Sequence, residues 1–324
     1  MMRQISFSEA TLEAMTEEMQ RDSKVFIMGE DIAAQGGIFG QFKGLPQKFG
    51  KDRVLDTPIS ETAIVGAGVG AAMAGMRPVV DMHFADFIGV CMDEILNQMA
   101  KARYMFGGQC SMPLVLRAPD GIIRSAAAQH SQSLEAFFLH IPGIKVVIPS
   151  NPADAKGLLK AAIRSEDPVL YFEHKGLFPL KGPVPEGEHI VPIGKAAVSR
   201  EGSDVTLVSY SMMIHRVLEA AEALEKEGIS AEVIDLRTIS PLDMETIYKS
   251  VAKTHRLVVV HEAVRTGGVG AEIAARVAEE MMDDLDAPIR RLGAPFVPVP
   301  FSPSLERLVK ITPEQICQAV REIL

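Results

Sequence analysis

Two short stretches of the 324-residue sequence hold residue types able to do chemistry. The first, "TPISETAIVGAGVGAAMAG" (57–75), places Glu61 just ahead of Gly66, Gly68, Gly70 and Gly75. The second, "AAAQHSQSLEAFFLHIPGIKVVIPS" (126–150), sets His130 between small residues and a polar "SQS". A carboxyl and an imidazole are the usual groups for moving protons in a reaction. Closely spaced glycines have another use, since they let a backbone approach the phosphates of a dinucleotide. On that second reading Asp81 of "RPVVD" stands where an acid would hold a ribose. The adjacent His130–Ser131 pair also raises a hydrolase, but no G-x-S-x-G occurs and neighbouring residues rarely reach triad geometry.

The elements that must position these residues help to weigh the readings. A dinucleotide loop needs a full strand, a glycine turn and then a helix. Here the apolar lead-in to the glycines is only "AIV", and it follows "DTPISET", which has the look of a helix start. Thr57 or Ser60 suits an N-cap, and Pro58 a first turn. Positions 61, 65, 69 and 73 then recur at i+4 spacing, with Gly66, Gly70 and nearby alanines forming a smooth face. Each helix-interior glycine costs about 1 kcal/mol relative to alanine, so such a run needs a packing reason. The pattern favours a packed helix and leaves the dinucleotide loop open. Glu61 is then either an acid capping the positive helix end or a catalytic carboxyl, and His130 either a loop histidine or a reactive one.

Around these stretches the chain alternates short β-branched runs with helical patterns. Strands are expected at 24–30, 77–84, 113–119, 144–150 and 168–174, and helices at 86–104, 131–138 and 152–164. Near residue 180 "LKGPVPEGEHIVPIGK" is dense in proline and glycine and reads as a connection. The alternation then resumes, with strands at 204–210, 230–238 and 256–263 and helices near 214–227, 243–254, 270–284 and from Pro313. The expected architecture is α/β: two three-layer α/β/α domains with mostly parallel sheets, at 1–180 and 196–324, joined by a linker at 181–195.

Composition narrows the function. A formal net charge of −9 offers no basic surface for nucleic acid. Three widely spaced cysteines (Cys91, Cys110, Cys317) make neither a disulfide framework nor a zinc pattern and suit a reducing compartment. No run of about 18 apolar residues occurs, so no membrane span is expected, and the start lacks the features of a leader peptide. A cytoplasmic protein is the expectation.

Taken together, "RVLDTPISETAIVGAGVGAAMAGMRPVVDMHFADFI" and "QHSQSLEAFFLHIPGIKVVIPSNPADAKGLLKAAIR" resemble the β subunit of the thiamine-diphosphate-dependent E1 component of 2-oxo acid dehydrogenase complexes. "DLRTISPLD" (235–243) and "FVPVPFSPSLE" (296–306) extend the likeness over essentially the whole chain. The resemblance implies a transketolase-like pyrimidine-binding domain followed by a transketolase C-terminal domain. It implies that Glu61 hydrogen-bonds N1′ of the cofactor's aminopyrimidine, that Phe87 of "FADF" lines that ring, and that His130 orients substrate and aids acyl transfer to lipoamide. The glycines then form a close-packed helix behind Glu61.

Family members hold the diphosphate through Mg²⁺ on a G-D-G segment, and this chain has only "PDG" at 119–121. The resemblance therefore implies half a cofactor site, completed by a separate α subunit in an α2β2 heterotetramer that docks on a lipoyl-bearing E2 acyltransferase. It also implies a K⁺ site on the backbone carbonyls of Leu114, Ala162, Ile163, Ser165 and Asp167, although relatives commonly carry Asp where Ser165 stands. The loop "RTGGVGAE" (265–272) suits an anion or, more simply, tight strand-to-helix packing. The expected reaction is cleavage of acetoin, or decarboxylation of a 2-oxo acid of the pyruvate or branched-chain type, followed by reductive acylation of the lipoyl group. A nicotinamide-binding dehydrogenase and a non-catalytic scaffold are the rivals.

Overall fold

The computed structural model describes residues 2–324. A seven-stranded sheet runs in the order Thr238–Ser240, Lys145–Val147, Val169–His174, Val115–Asp120, Arg77–Asp81, Val25–Gly29, Val54–Asp56. All of its pairings are parallel except the outermost, where Thr238–Ser240 lies antiparallel to Lys145–Val147. A five-stranded sheet follows in the order Arg290–Ala294, Leu257–Val264, Val205–Ser209, Ala231–Asp235, Ala197–Arg200, with only the last strand antiparallel. Helices cover both faces of each sheet, which is the expected pair of three-layer α/β domains.

Strand alternation explains why these apolar runs are buried on both sides. Phe26, Met28, Val80, Leu116 and Leu170 face one hydrophobic cluster, while Val25, Ile27, Val79, Val115 and Val169 face another. Successive strand residues point to opposite faces, so such runs need two covering layers. One cover is the helix pair Phe7–Arg21 and Pro152–Arg164, the first opened by a reciprocal capping box between Ser6 and Glu9. Lys156 and Lys160 of the second helix are buried, and each pairs with acids of the first: Lys156 Nζ with Glu17 at 2.8 Å and Lys160 Nζ with Glu17 at 2.6 Å. The other cover includes the helix Glu61–Met73 and is continuous with apolar residues of the second sheet, such as Val208, Ile234 and Val259. The two sheets thus share one core.

Three expectations change. The helical pattern at 86–104 breaks into a 3₁₀ segment (Ala85–Cys91), a π segment (Glu94–Met99) and a short α turn (Ala102–Met105), so Phe87 and Tyr104 do not lie on one continuous helix. The expected linker 181–195 holds a strand, Lys181–Pro185, paired antiparallel with Met2–Ser6. The helix expected at 131–138 starts only at Glu135, which leaves His130 on an irregular loop.

The candidate active site at the strand ends

The polar residues of interest gather at the carboxyl ends of the parallel strands, where open α/β sheets bind ligands. Glu30 follows Val25–Gly29, Asp81 ends Arg77–Asp81, Asp120 ends Val115–Asp120 and His174 ends Val169–His174. Glu61 opens the helix that follows Val54–Asp56.

The glycine run lies inside the helix from Glu61 onward, and the turn between strand Val54–Asp56 and that helix holds no glycine, so the dinucleotide reading fails on geometry. Asp81 is not free for a ribose either: it is buried and ion-paired to Arg117. Ser60 occupies the N-cap position, but its side chain makes no capping bond, and Thr57 Oγ1 is buried without a partner. The glycine that packs closely is Gly68: a Cβ there would lie 2.5 Å from Val80 Cγ2 and 3.1 Å from Leu114 Cδ1. Gly70 faces open space, and the carbon nearest Gly66 is Glu94 Cγ at 3.7 Å. An i+4 row drifts about 40° per step around a helix, so Val65 and Val69 are buried while Met73 emerges.

Glu61 sits half-exposed in the first turn, and among the described residues its carboxylate has no hydrogen-bond or ion-pair partner. The next residue, Thr62, donates from Oγ1 to Val90 O at 3.0 Å, which ties the helix start to the segment carrying Phe87. Close by, buried Glu30 has His83 Nδ1 3.7 Å from its carboxylate. Burial holds the Glu30 carboxyl above its ordinary range; the charges of Glu61, Asp31 and Asp81 push the same way, against His83.

The structure brings Phe87 and His130 together. Their ring centroids are 5.5 Å apart and nearly perpendicular, and Phe84 meets His130 edge-on at 4.6 Å. Phe84 also touches Phe39 and has the buried Lys175 ammonium 5.4 Å from its centroid. The imidazole is half-buried, and its nitrogens bond no described residue. Ser131 is buried with an unpartnered hydroxyl and is no nucleophile for His130.

Beneath the His130 loop lies a buried polar floor. His174 Nε2 is 3.0 Å from Glu262 Oε1, and Tyr210 donates to Glu135 Oε1 at 2.7 Å. Asp120 of the "PDG" segment is pushed by burial up to about 7, although His174 pulls it down. Burial works against the charge on His174, but Glu262 beside it outweighs that and raises its pKa. A cavity of about 410 Å³ abuts the loop through Ser131 and Gln132 and is lined by Ile122, Leu134, Glu262 and Val297. It includes none of Glu61, Phe87 or His130. The glycine loop at 265–272 follows the packing reading, since a Cβ at Gly268 would stand 2.6 Å from the His261 ring and one at Gly270 3.1 Å.

Four of the five carbonyls expected to hold a monovalent cation accept hydrogen bonds within the chain. The carbonyls of Ile163 and Ser165 converge on Arg77 Nη1, at 3.0 and 3.2 Å. Ala162 O accepts from Ser165 N at 3.1 Å, and Leu114 O from Val169 N at 2.9 Å. The Asp167 carboxylate is bound by Lys145 at 3.0 Å and by Arg103. The Arg77 guanidinium thus stands against two of the five carbonyls.

Reading the sequence alone left out Glu30, His83, Phe84, Asp86 and the Asp120–His174–Glu262 floor. Phe84 and Asp86 lie within the quoted "FADF", while Glu30 and His174 end strand-like runs, a position that is itself a signal.

This fold and this row of strand-end groups define a transketolase-type, two-domain protein. Residues 3–181 match the transketolase pyrimidine-binding domain, and residues 194–316 match the transketolase C-terminal domain. The chain is 49% identical to a 2-oxoisovalerate dehydrogenase subunit beta of Bacillus subtilis, over 98% of each chain. It is 51% identical to the subunit beta of an acetoin:2,6-dichlorophenolindophenol oxidoreductase of Cupriavidus necator, over all of this chain and 98% of that one. It is 45% identical to a pyruvate dehydrogenase E1 component subunit beta of Gracilaria tenuistipitata, over the full length of both. A solved split-gene transketolase, described as an inactive β4 tetramer, shares the fold at a TM-score of 0.81 and 24% identity, covering 99% of this chain and 98% of that one. The chain belongs to the E1 β subunits of the 2-oxo acid and acetoin dehydrogenases.

Proposed function

We propose that this chain supplies the activating half of a thiamine-diphosphate site and works as the β subunit of a heteromeric E1 dehydrogenase. The observation that carries the reading is Glu61, an unpartnered carboxylate at a helix start that is tied to the segment holding Phe87. Such a carboxylate fits a ring nitrogen with which it shares a proton, and the half-exposed Phe87 offers a flat face to a flat heterocycle. Thiamine diphosphate, when bound, supplies the electron sink for cleaving a bond beside a carbonyl.

The protein's own residues then bind and move protons. Glu61 holds a proton at N1′ of the aminopyrimidine. His130, free at both nitrogens and held edge-on by two phenylalanines, orients the substrate and passes a proton as the acyl group moves to a lipoyl acceptor. Asp120 is buried, its pKa is raised by burial, and it lies in a P-D-G rather than a G-D-G segment, so the diphosphate anchor falls to an α subunit. Large apolar side chains remain exposed at Ile59, Val90, Tyr104, Met105 and Phe106, and again at Phe296, Phe301 and Leu308, as expected of a chain that works in an α2β2 assembly. The lipoyl group belongs to an E2 partner. Acetoin is the first substrate to test, then pyruvate and the branched-chain 2-oxo acids.

The test is calorimetric titration of thiamine diphosphate with Mg²⁺, on the chain alone and on the chain assembled with its α subunit. Binding only to the assembly is expected, with Glu61→Gln costing most of the activity. Tight binding to the lone chain, or full activity of Glu61→Gln, would overturn the half-site reading.

A further inference from the structure

The loop 121–134 that carries His130 has few hydrogen bonds of its own. Its internal ones are Gly121 N to Gln132 O and Ala126 N to Ile123 O, both at 3.3 Å. Two non-glycine residues, Ser125 (φ 55°) and Ala127 (φ 59°), take the left-handed conformation, which disfavours the loop unless something outside fixes it. Three carboxylates do so. Glu262 accepts from Ile122 N at 2.7 Å, Glu306 from Ser125 N at 2.7 Å, and Asp86 from both Gln132 N at 3.1 Å and Gln132 Nε2 at 2.9 Å. The first two come from the second domain and grip the early part of the loop. Only Asp86 grips it next to His130.

Asp86 is also the residue before Phe87. One side chain therefore fixes the distance between the two groups that the proposed mechanism needs side by side. Its second oxygen, Oδ2, is buried without a hydrogen-bond partner, and so is Lys175 Nζ; burial lowers the Lys175 pKa against the pull of Asp120 and Asp86. A double acceptor bond to a charged carboxylate is among the stronger hydrogen bonds a loop can have. Both of its donors lie on Gln132, two residues from the imidazole.

We propose that Asp86 is the positioning residue for His130: through Gln132 it holds the imidazole against Phe84 and Phe87. This rests on the role given above to His130. The charge is secondary to the acceptor geometry, because an asparagine in the same place keeps an oxygen for Gln132.

The experiment uses the assembled α/β enzyme with a lipoylated E2 acceptor. Asp86→Ala is expected to lower the acyl-transfer rate about ten- to a hundredfold, in line with losing hydrogen bonds to a charged group, and Asp86→Asn to recover most of it. In a His130→Ala background, Asp86→Ala should cost nothing further, because residues acting as one unit are not additive. Hydrogen–deuterium exchange on the same assemblies supplies the independent readout. The peptide spanning Gln132 should exchange faster in Asp86→Ala and as wild type in Asp86→Asn, with peptides of the sheet unchanged. Costs that simply add in the double variant, or unchanged exchange at Gln132, overturn the proposal. If His130→Ala alone leaves the rate untouched, the role of His130 fails, while the exchange result still decides whether Asp86 holds the loop.

Discussion

At the scale of single residues the two groups with proposed chemistry, Glu61 and His130, have no polar partner among the described residues, whereas Arg117 and its acids are tightly engaged. Arg117 is fully buried between Asp81 and Glu173 and lies over the Phe42 ring at 4.8 Å. Burial pushes the Glu173 carboxyl up to about 7, although Arg117 opposes the shift. A buried pair adds little net stability, but removing one partner leaves the others uncompensated. Arg117→Ala should therefore destabilise the chain by about 3–5 kcal/mol, read as a lower urea midpoint at unchanged slope. A loss under about 1 kcal/mol would mean that both acids simply take up protons.

At the scale of elements, the glycine helix separates two kinds of glycine that look alike in sequence. Gly68→Ala gains helix propensity of about 1 kcal/mol but drives a methyl into Val80 and Leu114, so a net loss of about 1–3 kcal/mol is expected. Gly70→Ala meets nothing within 4 Å and should raise stability by up to about 1 kcal/mol. Thermal unfolding of the two variants side by side checks the contrast, and equal shifts would contradict the packing described. The presence of this helix was legible because a capping-type start, an acid and a long apolar run all agree locally. Which glycine touches the sheet was not legible, since Val80 lies on one strand and Leu114 just before its neighbour, Val115–Asp120, whose register no local pattern specifies.

At the scale of the whole molecule, buried acids set how stability depends on pH. Asp120, Glu173 and Asp235 are each raised by burial to about 7, so the folded chain keeps protons that the unfolded chain has released. Stability then falls as pH rises toward and through 7. His174, raised by Glu262 against its burial, adds a term of the same sign: it stabilises below its unfolded value and is lost as pH rises through its higher folded one. His261, pushed by burial down to about 4, acts in the opposite direction, but only between about pH 4 and 6.5. Above about pH 6.5 His261 no longer contributes, and urea unfolding at steps from pH 6.5 to 8 should show stability that falls and then levels off as the raised carboxyls lose their last protons; stability that rises from the first step would overturn the assignment.

The sequence by itself determined the two α/β domains, the helix behind Glu61 and the likeness carried by "PISE", "FADF" and "HSQS", because each is written in adjacent residues or in a short period. Only the tertiary structure decided which groups share a site. The clasps on the His130 loop join residues 140 and 181 positions apart, and the floor pairs His174 with Glu262 across the domain boundary. It likewise placed the Arg77 guanidinium on carbonyls that the resemblance reserved for an ion. Hydrogen bonds and ion pairs depend on distances of a few ångströms between side chains, and packing sets those distances only after both sheets have closed over their common core.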